Sequence, residues 1–376
     1  MKCLLWALTS LLTGCAAFDR PDPVTIEGRV LDYPGGTPLA SASVRVAGED
    51  RTVTTDGLGR FALSGLAASV SLAFEAPDHV SATRSFNLSP GEDRAIDVPL
   101  PATGQHLAPR LVLFERGARI WSVDALGSDE RCLTADLPDS QASPAWLSGR
   151  SQFAFLWRHP GRTQIWSRYP DGRPARFLGE VPDSATDLAW HPVGEYLAFA
   201  ASYYLASRGI VTTLKRLDQI SGVVSDFVSG GVEANPAWSV DGKSLAWARR
   251  VSPHPWQIWI GGERGEHPRL LPTRGSSFEP TWSPSGAQMA YASNDTGRYE
   301  LYLAGVANGL VEQLTHSPEG GWCRHPVWAP EGDEILFESN YHPGLGKLQA
   351  AVGLYALRLN PPSIRAIAPD ARAGTW

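Results

Sequence analysis

Histidines, thiols and activated hydroxyls carry most side-chain chemistry at neutral pH, and each needs a particular spacing to do so. His159, His191, His254, His316, His325 and His342 all fall in stretches that read as loops. Brought together on one axis they could bind a metal or move protons. Loop histidines at this frequency are more simply exposed side chains, and neither a metal nor a catalytic residue is expected. No HExxH pair and no Cys/His cluster with zinc spacing occurs. No Gly-x-Ser-x-Gly nucleophile elbow is present. Gly344-Leu345-Gly346-Lys347 has the glycines of a phosphate loop, but Leu348 stands where a magnesium-binding hydroxyl would be. Asn294-Asp295-Thr296 has the form of a glycan acceptor and reads as a turn. The chemically distinctive residue is Cys15, directly after Leu12-Thr13-Gly14.

The elements that must position these residues are read from composition. In 376 residues, 43% are apolar and 19% charged, which describes a globular chain rather than a disordered one. Glycine (37) and proline (30) are spread throughout, so turns are frequent and strands short. The net charge of −6 argues against nucleic acid as a partner. The four cysteines are too few for a disulfide scaffold. Cys3 leaves with the leader. Cys132 and Cys323 fall in different repeats, and the sequence leaves their pairing open.

Lys2 precedes an apolar run, Leu4–Leu12, too short to span a bilayer. With Leu12-Thr13-Gly14-Cys15 it resembles the lipobox of bacterial lipoproteins. That resemblance implies cleavage of residues 1–14, lipidation of Cys15 and a tether over residues 15–23. Ala16, where an Asp would retain a Gram-negative lipoprotein at the inner membrane, implies the outer membrane. No later stretch approaches 18 apolar residues.

Residues 24–101 alternate with the period of strands, as in Val24–Val30, Ala42–Val46, Arg60–Leu63 and Val70–Phe74. Gly35-Gly36-Thr37-Pro38 and Asp56-Gly57-Leu58-Gly59 separate them as turns. A β-sandwich is expected. Gly28-Arg29-Val30, Gly36-Thr37-Pro38-Leu39-Ala40 and Thr55-Asp56-Gly57-Leu58-Gly59-Arg60-Phe61 resemble the carboxypeptidase regulatory-like domain, a transthyretin-like sandwich. It is a companion module, and the expectation is a spacer.

Residues 110–376 repeat. Trp146, Trp190, Trp238, Trp282 and Trp328 recur at intervals of 44, 48, 44 and 46, four of them preceded by Pro-x. Nine residues after each comes an aromatic: Phe155, Phe199, Trp247, Tyr291 and Phe337. A third strand follows, marked by Ile165-Trp166, Ile258-Trp259, Leu301-Tyr302 and Leu354-Tyr355; the second repeat departs with Ile210-Val211-Thr212-Thr213. Four strands per period make a propeller blade. The stretch from Leu111 lacks a first strand, and Ala373-Gly374-Thr375-Trp376 supplies one, with Trp376 48 residues after Trp328. The fold class is therefore all-β: an N-terminal β-sandwich followed by a six-bladed β-propeller closed by the C-terminal strand. Trp238-Ser239-Val240-Asp241-Gly242 and Trp282-Ser283-Pro284-Ser285-Gly286 resemble the WD40-like repeats of the TolB propeller.

The repeated tryptophans are core. The candidate binding residues are those of the loops between second and third strands and between blades. They are Trp157, Arg158, His159, Tyr203, Tyr204, Arg208, Arg250, His254, Trp256, Arg298, Tyr299, Trp322, Arg324, His325, Tyr341 and His342. Aromatics and arginine bury large area while still hydrogen-bonding, which suits a binding rim. The expectation is a non-catalytic cell-envelope lipoprotein without cofactors, binding a protein or an anionic glycan through that loop face. A carbohydrate-binding or lyase-like surface protein is the alternative. Because the acylated thiol and amine both belong to Cys15, Cys15→Ala is expected to abolish labelling by a metabolic acyl probe; undiminished labelling would exclude the anchor.

Overall fold

The computed structural model describes residues 24–33, 37–102, 111–147, 152–192, 196–206, 209–343 and 345–376; Cys15 and Arg208 lie outside them. The first module packs two sheets. One orders Arg60–Leu66, Val24–Tyr33 and Asp93–Pro101, the last two running parallel. The other orders Thr52–Thr54, Ser43–Val46, Ser69–Glu75 and Ala82–Asn87. Alternate residues point inward, so Val24, Ile26, Val30, Val44, Leu63, Leu72 and Phe74 form one buried core. The sequence motif has structural causes. Asp56 Oδ1 accepts from the amides of Leu58 and Arg60, both at 2.8 Å, which shapes the turn. Gly59 has φ 70°, and a Cβ there would meet the Val30 carbonyl oxygen at 2.6 Å.

Among the described residues the second module is six four-stranded antiparallel sheets. Blades 2 to 6 begin with inner strands Ser140–Trp146, Thr186–Trp190, Val232–Trp238, Ser277–Trp282 and Cys323–Trp328. Blade 1 takes Leu111–Arg116, Arg119–Asp124 and Arg131–Cys132 from its start and Arg372–Thr375 from the chain's end. Arg372 pairs with Glu115 and Thr375 with Leu113, and Trp376 is only 2% exposed. The C-terminal strand thus closes the ring. Phe114, Phe155, Phe199, Trp247, Tyr291 and Phe337, one per blade, are wholly buried. Large aromatics fill the wedge between sheets. Two of the repeated tryptophans also join blades: Trp190 Nε1 donates to the Ala145 carbonyl at 3.0 Å, and Trp282 Nε1 to that of Ala237 at 3.1 Å.

Chain alternation gives the propeller two faces. Turns after the inner strand, and between third and outer strands, lie on one, here the turn face. The other two connections lie on the loop face. The sandwich packs against neither face but against the side of blades 6 and 1, across the closing seam. Asp97, fully buried, accepts from Arg29 at 2.9 and 2.6 Å and from the Ala366 amide at 2.7 Å. Arg29 also donates to the Ile364 carbonyl at 2.7 Å. Arg84 reaches the Leu126 carbonyl of blade 1 at 2.5 Å, and burial pushes its guanidinium down to about 10. Arg94 pairs with Asp370 at 3.0 Å.

Deleting residues 369–376 removes the inner strand of blade 1, the buried Trp376 and the Asp370 pair. Losing a buried tryptophan alone costs about 3–5 kcal/mol, so Tm is expected to fall on the order of 10 °C. A melting curve shifted by less than about 2 °C would show that the ring does not depend on its last strand.

Candidate functional site

The propeller axis is shaped by one backbone feature repeated six times. Three residues before each repeated tryptophan, Ser143, Asp187, Asn235, Glu279, His325 and Ala373 have φ between 49° and 57°. Strand pairing slips at each of these points, so each inner strand carries a bulge. The left-handed conformation costs a non-glycine residue on the order of 1 kcal/mol. Carboxylates of the preceding blade offset this by accepting the bulge amides. Asp187 accepts from Asn235 N at 3.3 Å, Glu279 from His325 N at 2.8 Å, and Glu338 from Ala373 N at 2.5 Å. Glu115 accepts from Ser143 N in the same way. Four of the six blade junctions are stitched by this contact.

All six bulge residues line a central cavity of roughly 520 Å³ that extends along the inner strands from the bulges toward the turn face. Its walls include proline, alanine, Trp146, Trp190, Trp238 and Trp376, and the bulge residues make its base polar. Burial raises the pKa of Glu115, Asp187 and Glu338, against the lowering effect of their amide contacts and of His325. Glu279 is held by Arg324 at 2.5 Å and His325 Nε2 at 3.1 Å. Among the described residues no three His, Cys, Asp or Glu side chains form a group able to hold a metal. Cys132 and Cys323 are both free, and burial pushes the Cys323 thiol up to about 11.

The residues singled out in the sequence separate into four places. On blade 2, Trp157 is buried, donates to the Pro138 carbonyl at 2.9 Å and packs, with tilted rings, between His159 and Trp166. There Arg158 holds the Asp183 and Ala185 carbonyls at 2.7 and 2.8 Å, and His159 Nδ1 lies 2.7 Å from Asp139. These three secure the blade's own connections. On blade 3, Tyr203 and Tyr204 are exposed, while Arg208 lies outside the described residues. On blade 6, Tyr341 is half-buried and His342 is 1% exposed against Tyr355 and Asp97. His342 thus belongs to the contact with the sandwich rather than to an exposed rim, because the hairpin carrying it folds back onto that module. Trp322 is half-buried, with its amide on Asn340 Oδ1 at 3.0 Å.

The remaining residues, His325 apart, do converge. Trp256, Phe278 and Tyr299 form a ladder across blades 4 and 5, with centroids 5.1 and 5.8 Å apart. Arg250 lies over Trp256 at 5.4 Å and Arg324 over Tyr299 at 5.0 Å, capping the ladder with a cation at each end. His254, Arg274 and Arg298 are exposed beside it. Phe278, Arg274 and the bulge residues other than His325 were not singled out in the sequence. A signal existed for Phe278, the one aromatic four residues before a repeated tryptophan. The bulge residues share a position but no residue type. The histidines do not gather: His191 packs on Tyr196 and Trp238 at the turn face, His316 is exposed, and only His325 reaches the axis.

Comparison with known proteins fits this geometry. Residues 25–101 match the model of the carboxypeptidase regulatory-like domain. The N-terminal module is a carboxypeptidase regulatory-like domain. The regulatory-like domain precedes a propeller whose relatives in fold are TolB structures. TolB from Acinetobacter baumannii superposes with TM-score 0.60 at 14% identity, covering 82% of this chain and 80% of that one. A putative TolB from Agrobacterium tumefaciens gives 0.53 at 17%, covering 70% and 90%. At such identity the likeness is one of fold, and the propeller is TolB-like in that sense. In sequence, the uncharacterized protein Atu1656 of Agrobacterium fabrum is 31% identical over 103 residues, 27% of this chain. That stretch spans about a third (34%) of the relative's length.

Proposed function

We propose that the chain is a non-catalytic scaffold of the cell envelope, anchored through Cys15 at the outer membrane, which binds an acidic protein partner on its loop face. The observation that carries this is the Trp256–Phe278–Tyr299 ladder with Arg250 and Arg324 at its ends. Flat aromatic area flanked by guanidinium groups is the composition of binding hot spots. It stands on a chain of net charge −6, so the positive patch is local. Charge complementarity of this kind speeds encounter and selects an acidic surface. The ladder also supports a second reading, an anionic glycan whose rings stack on the aromatics.

Arg158 and Arg324 are poor probes, since their guanidinium groups hold backbone carbonyls and the buried Glu279. Arg250, His254 and Arg274 are exposed and can be changed together to Ala. Recovery of partners from solubilised envelopes is expected to fall roughly tenfold or more, and added salt to weaken wild-type recovery, while Tm holds. Competition by soluble anionic oligosaccharide would favour the glycan. Undiminished recovery by the triple variant would place the site elsewhere.

A further inference from the structure

The second and third strands of blade 3, Tyr196–Leu205 and Gly209–Asp218, pair over ten rungs. Those of blades 4 and 5 are six or seven residues long. The inner strand of blade 3 pairs only as far as Ala200, and the outer strand only from Leu214. The hairpin beyond therefore extends past the blade by roughly 10–15 Å, with no strand on either edge among the described residues. Its end is apolar. Tyr204 and Ile210 face each other across the hairpin and are 74% and 72% exposed; Tyr203, opposite Val211, is 41% exposed. Arg208 is the sole charged residue from Ser202 to Thr212. Ile220, with Val223 in the same tight turn, and Leu310 are also exposed, but they sit in short turns of the turn face that do not extend past the blades.

Blade 6, opposite blade 3 in the ring, also has a long hairpin, Glu334–His342 and Lys347–Leu359. That one has an occupant: Lys347 pairs with Glu27 of the sandwich at 2.7 Å. The hairpin of blade 3 has none within the described chain. What it meets follows from where the first 23 residues join. The Thr25 amide bonds the Glu92 carbonyl, and Arg94, two residues on, pairs with Asp370 in a loop-face connection. The described chain therefore begins, at Val24, on the loop-face side, the side toward which the blade 3 hairpin extends. A tether from Cys15 to Val24 reaches at most roughly 30 Å.

We propose that the blade 3 hairpin is a second membrane contact, inserting Tyr203, Tyr204 and Ile210 into the interfacial layer of the bilayer that the N-terminus approaches. Tyrosine favours this layer because its ring is apolar and its hydroxyl stays wet. One anchor leaves a protein free to tumble; a second contact across the ring would hold the loop face toward the lipid. The inference rests on the envelope reading above, and its partner would accordingly lie near the bilayer surface.

The test uses the mature chain from residue 15 onward carrying Cys15→Ser, so that neither leader nor acyl chain contributes, in flotation with vesicles of phosphatidylethanolamine and phosphatidylglycerol. The chain is expected to float, and Tyr203→Ser, Tyr204→Ser and Ile210→Ser together to reduce floating roughly tenfold or more with Tm unchanged. Amide exchange of residues 203–206 and 209–211 in the Cys15→Ser chain is expected to slow when vesicles are added, which decides the matter even if the triple variant folds poorly. Failure to float, equal floating of the triple variant, or unaltered exchange would overturn the proposal. Acyl labelling of wild-type Cys15 is a separate readout, so loss of the anchor and loss of the hairpin contact are distinguishable.

Discussion

The pairing of Arg372–Thr375 with Leu111–Arg116 joins residues that are more than 250 positions apart, and every other arrangement in the propeller presupposes it. Five blades can each form from a local run of four strands. The sixth cannot, and without it the neighbouring blades would present open edges and unshared aromatic wedges. Closure also fixes the axis. Only in a shut ring do the six bulges face one another, and only then do the loops of blades 4, 5 and 6 abut to form one ladder. The sandwich lies over this same seam, gripping blade 6 through Asp97 and blade 1 through Arg84.

A buried ion pair such as Arg29–Asp97 adds little net stability, because desolvating both charges costs about as much as their attraction returns. Its value here is positional. Asp97 has donors from two modules, Arg29 and the Ala366 amide, and misdocking would leave a buried carboxylate unpaired. The same logic governs the axis. Glu115, Asp187 and Glu338 are carboxylates raised in pKa by burial, yet each accepts the amide of a strained bulge in the next blade. An alanine at these positions would strand that amide without an acceptor, so polar residues persist where an apolar core would be simpler.

The propeller was legible because its signal is repetition: tryptophan, turn, then an aromatic at a fixed offset, which becomes the wholly buried Phe155, Phe199, Trp247, Tyr291 and Phe337. Even the closing strand could be read, since Trp376 falls in phase. The sandwich was half legible. Ala82–Asn87 has no fully buried residue, and Asp93–Pro101 hides Asp97 among its apolar positions, so neither gives clean alternation. The site was least legible. Loop composition identified Trp256, Tyr299, Arg250 and Arg324, but could not tell them from Trp157 and His342, which have the same chemistry turned inward. That difference depends on neighbours from other blades and from the sandwich. The bulge ring was invisible because Ser143, Asp187, Asn235, Glu279, His325 and Ala373 have a conformation in common rather than a residue type.

The proposed binding face, a local aromatic and cationic patch on a TolB-like ring with a regulatory-like domain braced on its seam, requires rigidity where the loops converge. Amide hydrogen exchange of the intact chain measures that rigidity at its most vulnerable point. The account predicts that the Arg372–Thr375 amides bonded to Leu111–Arg116 are protected to the same degree as those between the inner and second strands of blade 4. Exchange of that segment at the rate of a frayed terminus, with blade 4 still protected, would contradict closure and with it the shared loop face.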